Sequence, residues 1–139
     1  MVSMHVLGHG IDLVQTRRIA RLLQEHGDRF RNRCFTPAEQ VYAEAARRRR
    51  AERYAARFAC KEAVLKALGT GWRNGIAWTD IEVLREPSGR PGLRLAGECA
   101  RHAAGLGIAR WLVSLSHAEG DAGYAVASVI ACGTATADG

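Results

Sequence analysis

Residues 52–68, ERYAARFACKEAVLKAL, constrain the fold of this chain more than any other stretch. Tyr54, Phe58, Val64, Leu65 and Leu68, with alanines between them, cover almost the whole circumference of a helix, and Gly69 stands where it should stop. A helix that is apolar nearly all round belongs in the middle of a molecule, with other elements packed on several sides. Four charges interrupt it: Arg57, Lys61, Glu62 and Lys66. Arg57 and Lys61 stand about 40° apart on one side, while Glu62 and Lys66 share another side at the same separation. Charges set into an apolar helix need partners, so these four mark where the rest of the chain must bring chemistry.

The elements that surround this helix follow from periodicity and punctuation. Residues 4–14, MHVLGHGIDLV, alternate as a strand with Gly8, Gly10 and Asp12 on one face and Leu7, Ile11 and Leu13 on the other. Glycines on a strand face predict close approach of another backbone or a ligand. Thr16 is expected to cap a short helix with the stripe Ile19, Leu22 and Leu23, closed by Gly27. Thr36-Pro37-Ala38-Glu39 has the form of a capping box, opening a helix that ends near Arg47–Arg50. Downstream, 76–85 alternates as a strand, Pro87-Ser88-Gly89 turns, and Leu93 and Leu95 return. An alanine-rich helix over 97–106 and strands over 110–116 and 124–132 complete the order. Helices and strands arriving in groups predict an α+β fold, an antiparallel sheet packed with the buried helix. The length of 139 residues predicts one domain, ordered over about 4–132 with a flexible C-terminal tail.

Charge narrows the classes of partner. Twenty basic against 14 acidic residues give +6, which predicts an anionic partner: nucleic acid, a membrane surface, an acidic protein or a phosphorylated ligand. Of the twenty, 18 are Arg, and the two lysines are Lys61 and Lys66. Arg17, Arg18, Arg21, Arg29, Arg31 and Arg33 form a basic face that suits an acidic surface or simply solvent. Apart from Phe30 and Phe35 the aromatics are not interleaved with these cations, and no recognisable reading helix is present, so nucleic acid ranks second among the readings. No apolar run reaches the ~18 residues of a membrane span, and the first residues lack the pattern of a signal peptide, predicting a cytoplasmic protein. Cys34, Cys60, Cys99 and Cys132 are dispersed without zinc spacing and are expected to be free, buried thiols.

Two groups of residues suit chemistry. Asp12 at the end of a glycine-lined strand and Glu62 with Lys66 on the buried helix fit a Mg²⁺ and phosphate site, since Mg²⁺ takes one or two carboxylates and completes its shell with water and phosphate. The same spacing also fits a capped turn and an intrahelical Glu62–Lys66 pair. Ser114, Ser116 and His117 fall at a strand end, either facing a ligand or forming a polar terminus. Ser116 and His117 are adjacent in the strand and so point to opposite faces, which argues against a nucleophile–base pair.

The motifs taken in order resemble a known family. They are Gly-His-Gly-Ile-Asp12, Arg-Cys-Phe-Thr36-Pro-Ala-Glu39, Ala-Arg57-Phe-Ala-Cys-Lys61-Glu62-Ala-Val-Leu-Lys66-Ala-Leu-Gly-Thr-Gly71, Asp80-Ile-Glu-Val83, Ser88-Gly89-Arg90-Pro91 and Val113-Ser-Leu-Ser-His117. From about residue 6 to 131 the chain is similar to the short bacterial 4′-phosphopantetheinyl transferases, the holo-acyl-carrier-protein synthases. The resemblance implies an α+β fold assembled as a homotrimer with sites at subunit interfaces. It implies transfer of the 4′-phosphopantetheine arm of coenzyme A to a serine of apo acyl carrier protein, releasing 3′,5′-ADP, in fatty acid or polyketide biosynthesis. Asp12 and Glu62 would hold Mg²⁺, and Lys66 would compensate the leaving phosphate. Arg57, Lys61, Arg90, Pro91, Ser116 and His117 would contact coenzyme A, and Arg18, Arg21 and Arg29 would meet the acidic carrier. The chain departs from the family pattern at Ala56 and Cys60, at Arg90 in place of Lys, and in a longer segment from His117 to Tyr124.

Overall fold

The computed structural model describes residues 3–118 and 122–134. The chain runs β1 (Met4–Gln15), α1 (Thr16–His26), α2 (Asp28–Cys34), α3 (Pro37–Glu44), α4 (Arg50–Leu68), β2 (Ile81–Arg85), β3 (Pro91–Leu95), α5 (Gly97–Gly105), β4 (Ile108–His117) and β5 (Tyr124–Thr134). Short 3₁₀ turns cover Arg47–Arg49 and Trp78–Asp80. Three strands form an antiparallel sheet in the order β1-β5-β4, and β2 and β3 form a separate hairpin. This is the expected α+β architecture, and no described helix is long and apolar enough to cross a membrane.

Helix α4 lies against the sheet and is buried over most of its length, from Tyr54 to Lys61 and again at Ala63, Val64, Leu65 and Leu68. It meets the inward row of β5, Ala125, Ala127, Val129 and Ala131, all fully buried. Small residues on the sheet let the helix sit close. The approach is closest at β1: a Cβ at Gly8 would lie 2.2 Å from the Ala67 carbonyl oxygen, and one at Gly10 1.8 Å from that of Ala63. Only glycine permits that contact. Gly69 ends α4 in the left-handed conformation (φ 75°), its N–H bonded to the Leu65 and Lys66 carbonyls.

The structure corrects several local expectations. Gln15, not Thr16, occupies the cap of α1, and the Thr16 hydroxyl is buried without a hydrogen-bond partner among the described residues. A seven-residue helix, α2, follows Gly27; only Phe30 and Cys34 face inward, too few to announce a helical stripe. Helix α3 ends at Glu44 rather than in the arginine run, and Arg50, which opens α4, turns back to bond the Glu44 carboxylate at 2.7 Å. The strand expected over 76–85 starts only at Ile81, because the Asp80 carboxylate takes the Ala77 N–H (3.1 Å) and closes a 3₁₀ turn. All four cysteines are buried and free. The tail expected to fray from Gly133 instead continues β5 through Thr134; residues 135–139 and residues 119–121 of the long segment lie outside the described residues.

Candidate functional site

The Gly8–Gly10 contact decides where Asp12 stands. Two residues on along β1, its side chain is 17% exposed, and Lys66 of α4 reaches it. The Lys66 ammonium donates to Asp12 Oδ1 (3.1 Å) and to the Ile11 carbonyl (2.8 Å). Glu62, one helical turn before Lys66 and half-buried, accepts from the Trp72 indole Nε1 at 3.3 Å. The intrahelical Glu62–Lys66 pair is therefore not what forms: Lys66 is committed to β1. Asp12 and, one turn before Lys66 on α4, Glu62 are hard oxygen donors of the kind a divalent cation takes while keeping water or phosphate on its remaining positions. Among the described residues no cluster of three or more ligating side chains occurs.

A second locus is a cleft of about 360 Å³ between α3, α4, the β2–β3 hairpin and the end of β4. Arg49, Arg53, Arg57, Arg85 and His117 line it, with Pro91 at the hairpin. Tyr42 organises the cations. The guanidinium carbons of Arg53 and Arg57 each lie 4.0 Å from its ring centroid, and Arg85 donates to its hydroxyl at 3.0 Å. Arg57 is 5% exposed, and its Nε has no hydrogen-bond partner among the described residues. Burial pulls its pKa down, as expected for a cation short of counter-charge. Glu52 lies 3.7 Å from His117 Nε2. A desolvated guanidinium with an unused donor in a cleft of further arginines is a place for a phosphate.

Of the residues expected at a coenzyme A site, Arg57, Pro91 and His117 line this cleft, and Arg90 is exposed in the hairpin beside it. Ser116 points to the other face of the sheet, away from the cleft. Lys61 requires correction. It is fully buried, its ammonium donating to Glu39 Oε1 (2.7 Å) and the Trp78 carbonyl (3.1 Å). It therefore reaches neither the cleft nor the surface. Burial pushes its pKa below the ordinary lysine range, although Glu39 opposes the shift. Glu39 in turn accepts from the Thr36 and Val83 N–H groups, tying α3, α4 and β2 together.

Arg18, Arg21 and Arg29 are exposed on α1 and α2. Arg18 lies 5.6 Å over the Phe58 ring, and Arg29 borders a hollow floored by Leu22, Phe30, Phe58 and Trp78. Residue pattern had not singled out Arg49, Arg53, Arg85, Tyr42 or Trp72. A signal for some was present: Arg49, Arg53, Arg57 and Lys61 recur every four residues, one stripe of a helix whose last member turns into the core.

Residues 8–127 match the model of the 4′-phosphopantetheinyl transferase superfamily. A holo-[acyl-carrier-protein] synthase of Koribacter versatilis is 52% identical over 125 residues, which cover 90% of this chain and 97% of that protein. Among solved structures, an acyl carrier protein synthase of Plasmodium yoelii with ADP bound superposes with a TM-score of 0.84 at 28% identity, covering 96% of this chain and 99% of that one. The Helicobacter pylori holo-[acyl-carrier-protein] synthase in complex with coenzyme A gives a TM-score of 0.75 at 28% identity, over 88% of this chain and 98% of that one.

Proposed function

The chain belongs to the 4′-phosphopantetheinyl transferase superfamily, and from that membership together with the geometry we propose that it is a holo-acyl-carrier-protein synthase. In this reading it moves the 4′-phosphopantetheine arm of coenzyme A to a serine hydroxyl of apo acyl carrier protein. The serine O–H bond and a pyrophosphate P–O bond break, the serine oxygen–phosphorus bond forms, and 3′,5′-ADP leaves with the serine proton released to solvent. The observation that carries the reading is the Asp12–Lys66 contact where β1 crosses α4, one helical turn from Glu62, in a chain that also holds a cleft of arginines.

Asp12 and Glu62 would hold Mg²⁺, which when bound would draw charge from the pyrophosphate oxygens. Lys66 positions Asp12 and adds a compact cation beside the leaving phosphate. Arg57 with Arg53, Arg85 and His117 receives a phosphate of coenzyme A, while Arg90 and Pro91 border its nucleotide. Arg18, Arg21 and Arg29 steer the acidic carrier, bringing its serine to the carboxylates.

The proposed assembly is a homotrimer. Arg57 and Glu62 are about 140° apart around α4, so the arginine cleft and the carboxylates open in different directions. The sheet face away from α4 leaves Leu7, Ile11 and Leu13 exposed on β1, Leu112 on β4 and Tyr124 on β5. A homotrimer closed through that face would bury it, join the cleft of one subunit to the carboxylates of the next, and bring Ser116 to an interface. Fatty acid or polyketide biosynthesis in the cytoplasm is the setting this activity fits. The test incubates the pure protein with coenzyme A, Mg²⁺ and an apo acyl carrier protein and weighs the carrier by mass spectrometry. A gain of one phosphopantetheine, lost on chelating the metal, supports the reading; no gain on any apo carrier overturns it.

A further inference from the structure

The segment after α4 turns back sharply. Gly71, Asn74 and Gly75 all take positive φ (61°, 62° and 76°), and the chain returns Trp72 to the helix face ten residues upstream. There its indole N–H donates to Glu62 Oε1 at 3.3 Å. The ring is held: Trp72 packs on Trp78 with centroids 3.8 Å apart, and Trp78 stacks on Phe58 at 4.7 Å and 26°. The Trp78 carbonyl also accepts from the buried Lys61 ammonium. This aromatic ladder ends on the Glu62 carboxylate.

We infer that Trp72 is a positioning residue for Glu62, fixing the carboxylate for the cation it would ligate; the inference rests on the metal reading of Glu62 given above. The terminal torsion of a glutamate is broad, so an unheld carboxylate swings and a metal must order it on binding. An indole N–H is suited to removing that freedom because it only donates and stays neutral. It orients the oxygen without cancelling the charge that attracts a cation, which a lysine in the same place would do. Partners of this kind, behind a metal ligand, typically set metal affinity by about 10–100-fold.

Trp72→Phe keeps the ring and its stacking and removes the N–H alone. Mg²⁺ binding to the coenzyme A-saturated protein, measured by titration calorimetry, is expected to weaken about tenfold. The unfolding midpoint stays unchanged, and turnover at saturating Mg²⁺ stays near that of the parent, so the defect sits in the half-saturating Mg²⁺ concentration. In a Glu62→Gln background Trp72→Phe should cause no further loss. If Glu62→Gln loses Mg²⁺ while Trp72→Phe binds it within twofold of the parent, the positioning role is overturned and the metal reading stands. Undiminished Mg²⁺ binding by Glu62→Gln overturns both.

Discussion

Lys61→Met puts a chain of similar length in place of a cation that the structure buries completely. The change leaves the Glu39 carboxylate, about 1% exposed, with two backbone N–H donors at 2.8 and 2.9 Å and without its bonded ammonium. Breaking one half of a buried ion pair costs about 3–5 kcal/mol, because the remaining charge is still desolvated. Against a typical total of about 5–15 kcal/mol that is a large fraction, worth roughly 10–20 °C in Tm. Glu39→Gln in the same chain removes the stranded charge while its amide oxygen can still accept a backbone N–H, so the double variant should recover at least half of the loss. Urea unfolding followed by circular dichroism reads all three variants. A loss below about 1 kcal/mol for Lys61→Met, or a double variant as unstable as the two singles summed, would refute the reasoning. The same variant bears on the site: since the ammonium does not reach the arginine cleft, KM for coenzyme A should not move under conditions where the variant is folded. A tenfold rise would restore a direct role in binding.

Gly10→Ala places a methyl 1.8 Å from the Ala63 carbonyl oxygen and should destabilise by about 3 kcal/mol or more, whereas Gly105→Ala, with nothing within 4 Å, should stay within about 1 kcal/mol of the parent in the same urea titration. Lys66→Arg keeps the charge but spreads the donor that now bonds both Ile11 and Asp12; turnover should fall at least tenfold with an unchanged unfolding midpoint, and near-normal turnover would remove the need for an ammonium. Burial pushes the Cys60 and Cys99 thiols up to about 12 and Cys34 to about 11, from an ordinary 9.0. Because the unfolded chain releases these protons first, stability is full below about pH 9 and falls above it, by about 1.4 kcal/mol per pH unit for each thiol. Urea midpoints measured from about pH 8 to 10 check this, and a midpoint that does not fall would contradict it.

Features whose cause lies within a few residues were legible in the sequence. The Thr36-Pro37-Glu39 box forms as its spacing predicts, Gly69 ends α4, and the glycines of β1 do mark a close approach. What escaped has its cause at long range. Glu39 looked like a capping residue and is one, but its other partners stand 22 and 44 positions away, and neither leaves a local trace. The family resemblance implies a coenzyme A contact for Lys61, and helical spacing, which places it beside Arg57, does not say that its ammonium turns into the core. Trp72 fell in a glycine-rich loop with no period to read, and only the backbone reversal at Gly71, Asn74 and Gly75 brings it to Glu62. The Asp12–Lys66 contact joins positions 54 apart, so β1 had to be laid on α4 before the pair could be seen.

The crossing of β1 over α4 also governs how this sequence can drift. Gly8 over Ala67 and Gly10 over Ala63 lock the helix in rotation, so that Cys60, Lys61 and Glu62 face three different destinations about 100° apart. Single substitutions along α4 test those destinations one at a time. A one-residue insertion or deletion between Arg57 and Lys61 sets the two halves of the helix about 100° out of register, so that the arginine cleft and the Lys61–Glu39 pair cannot both be kept. Lineages descended from this chain should therefore vary in the identity of α4 residues but not in their number, with length changes confined to the loops.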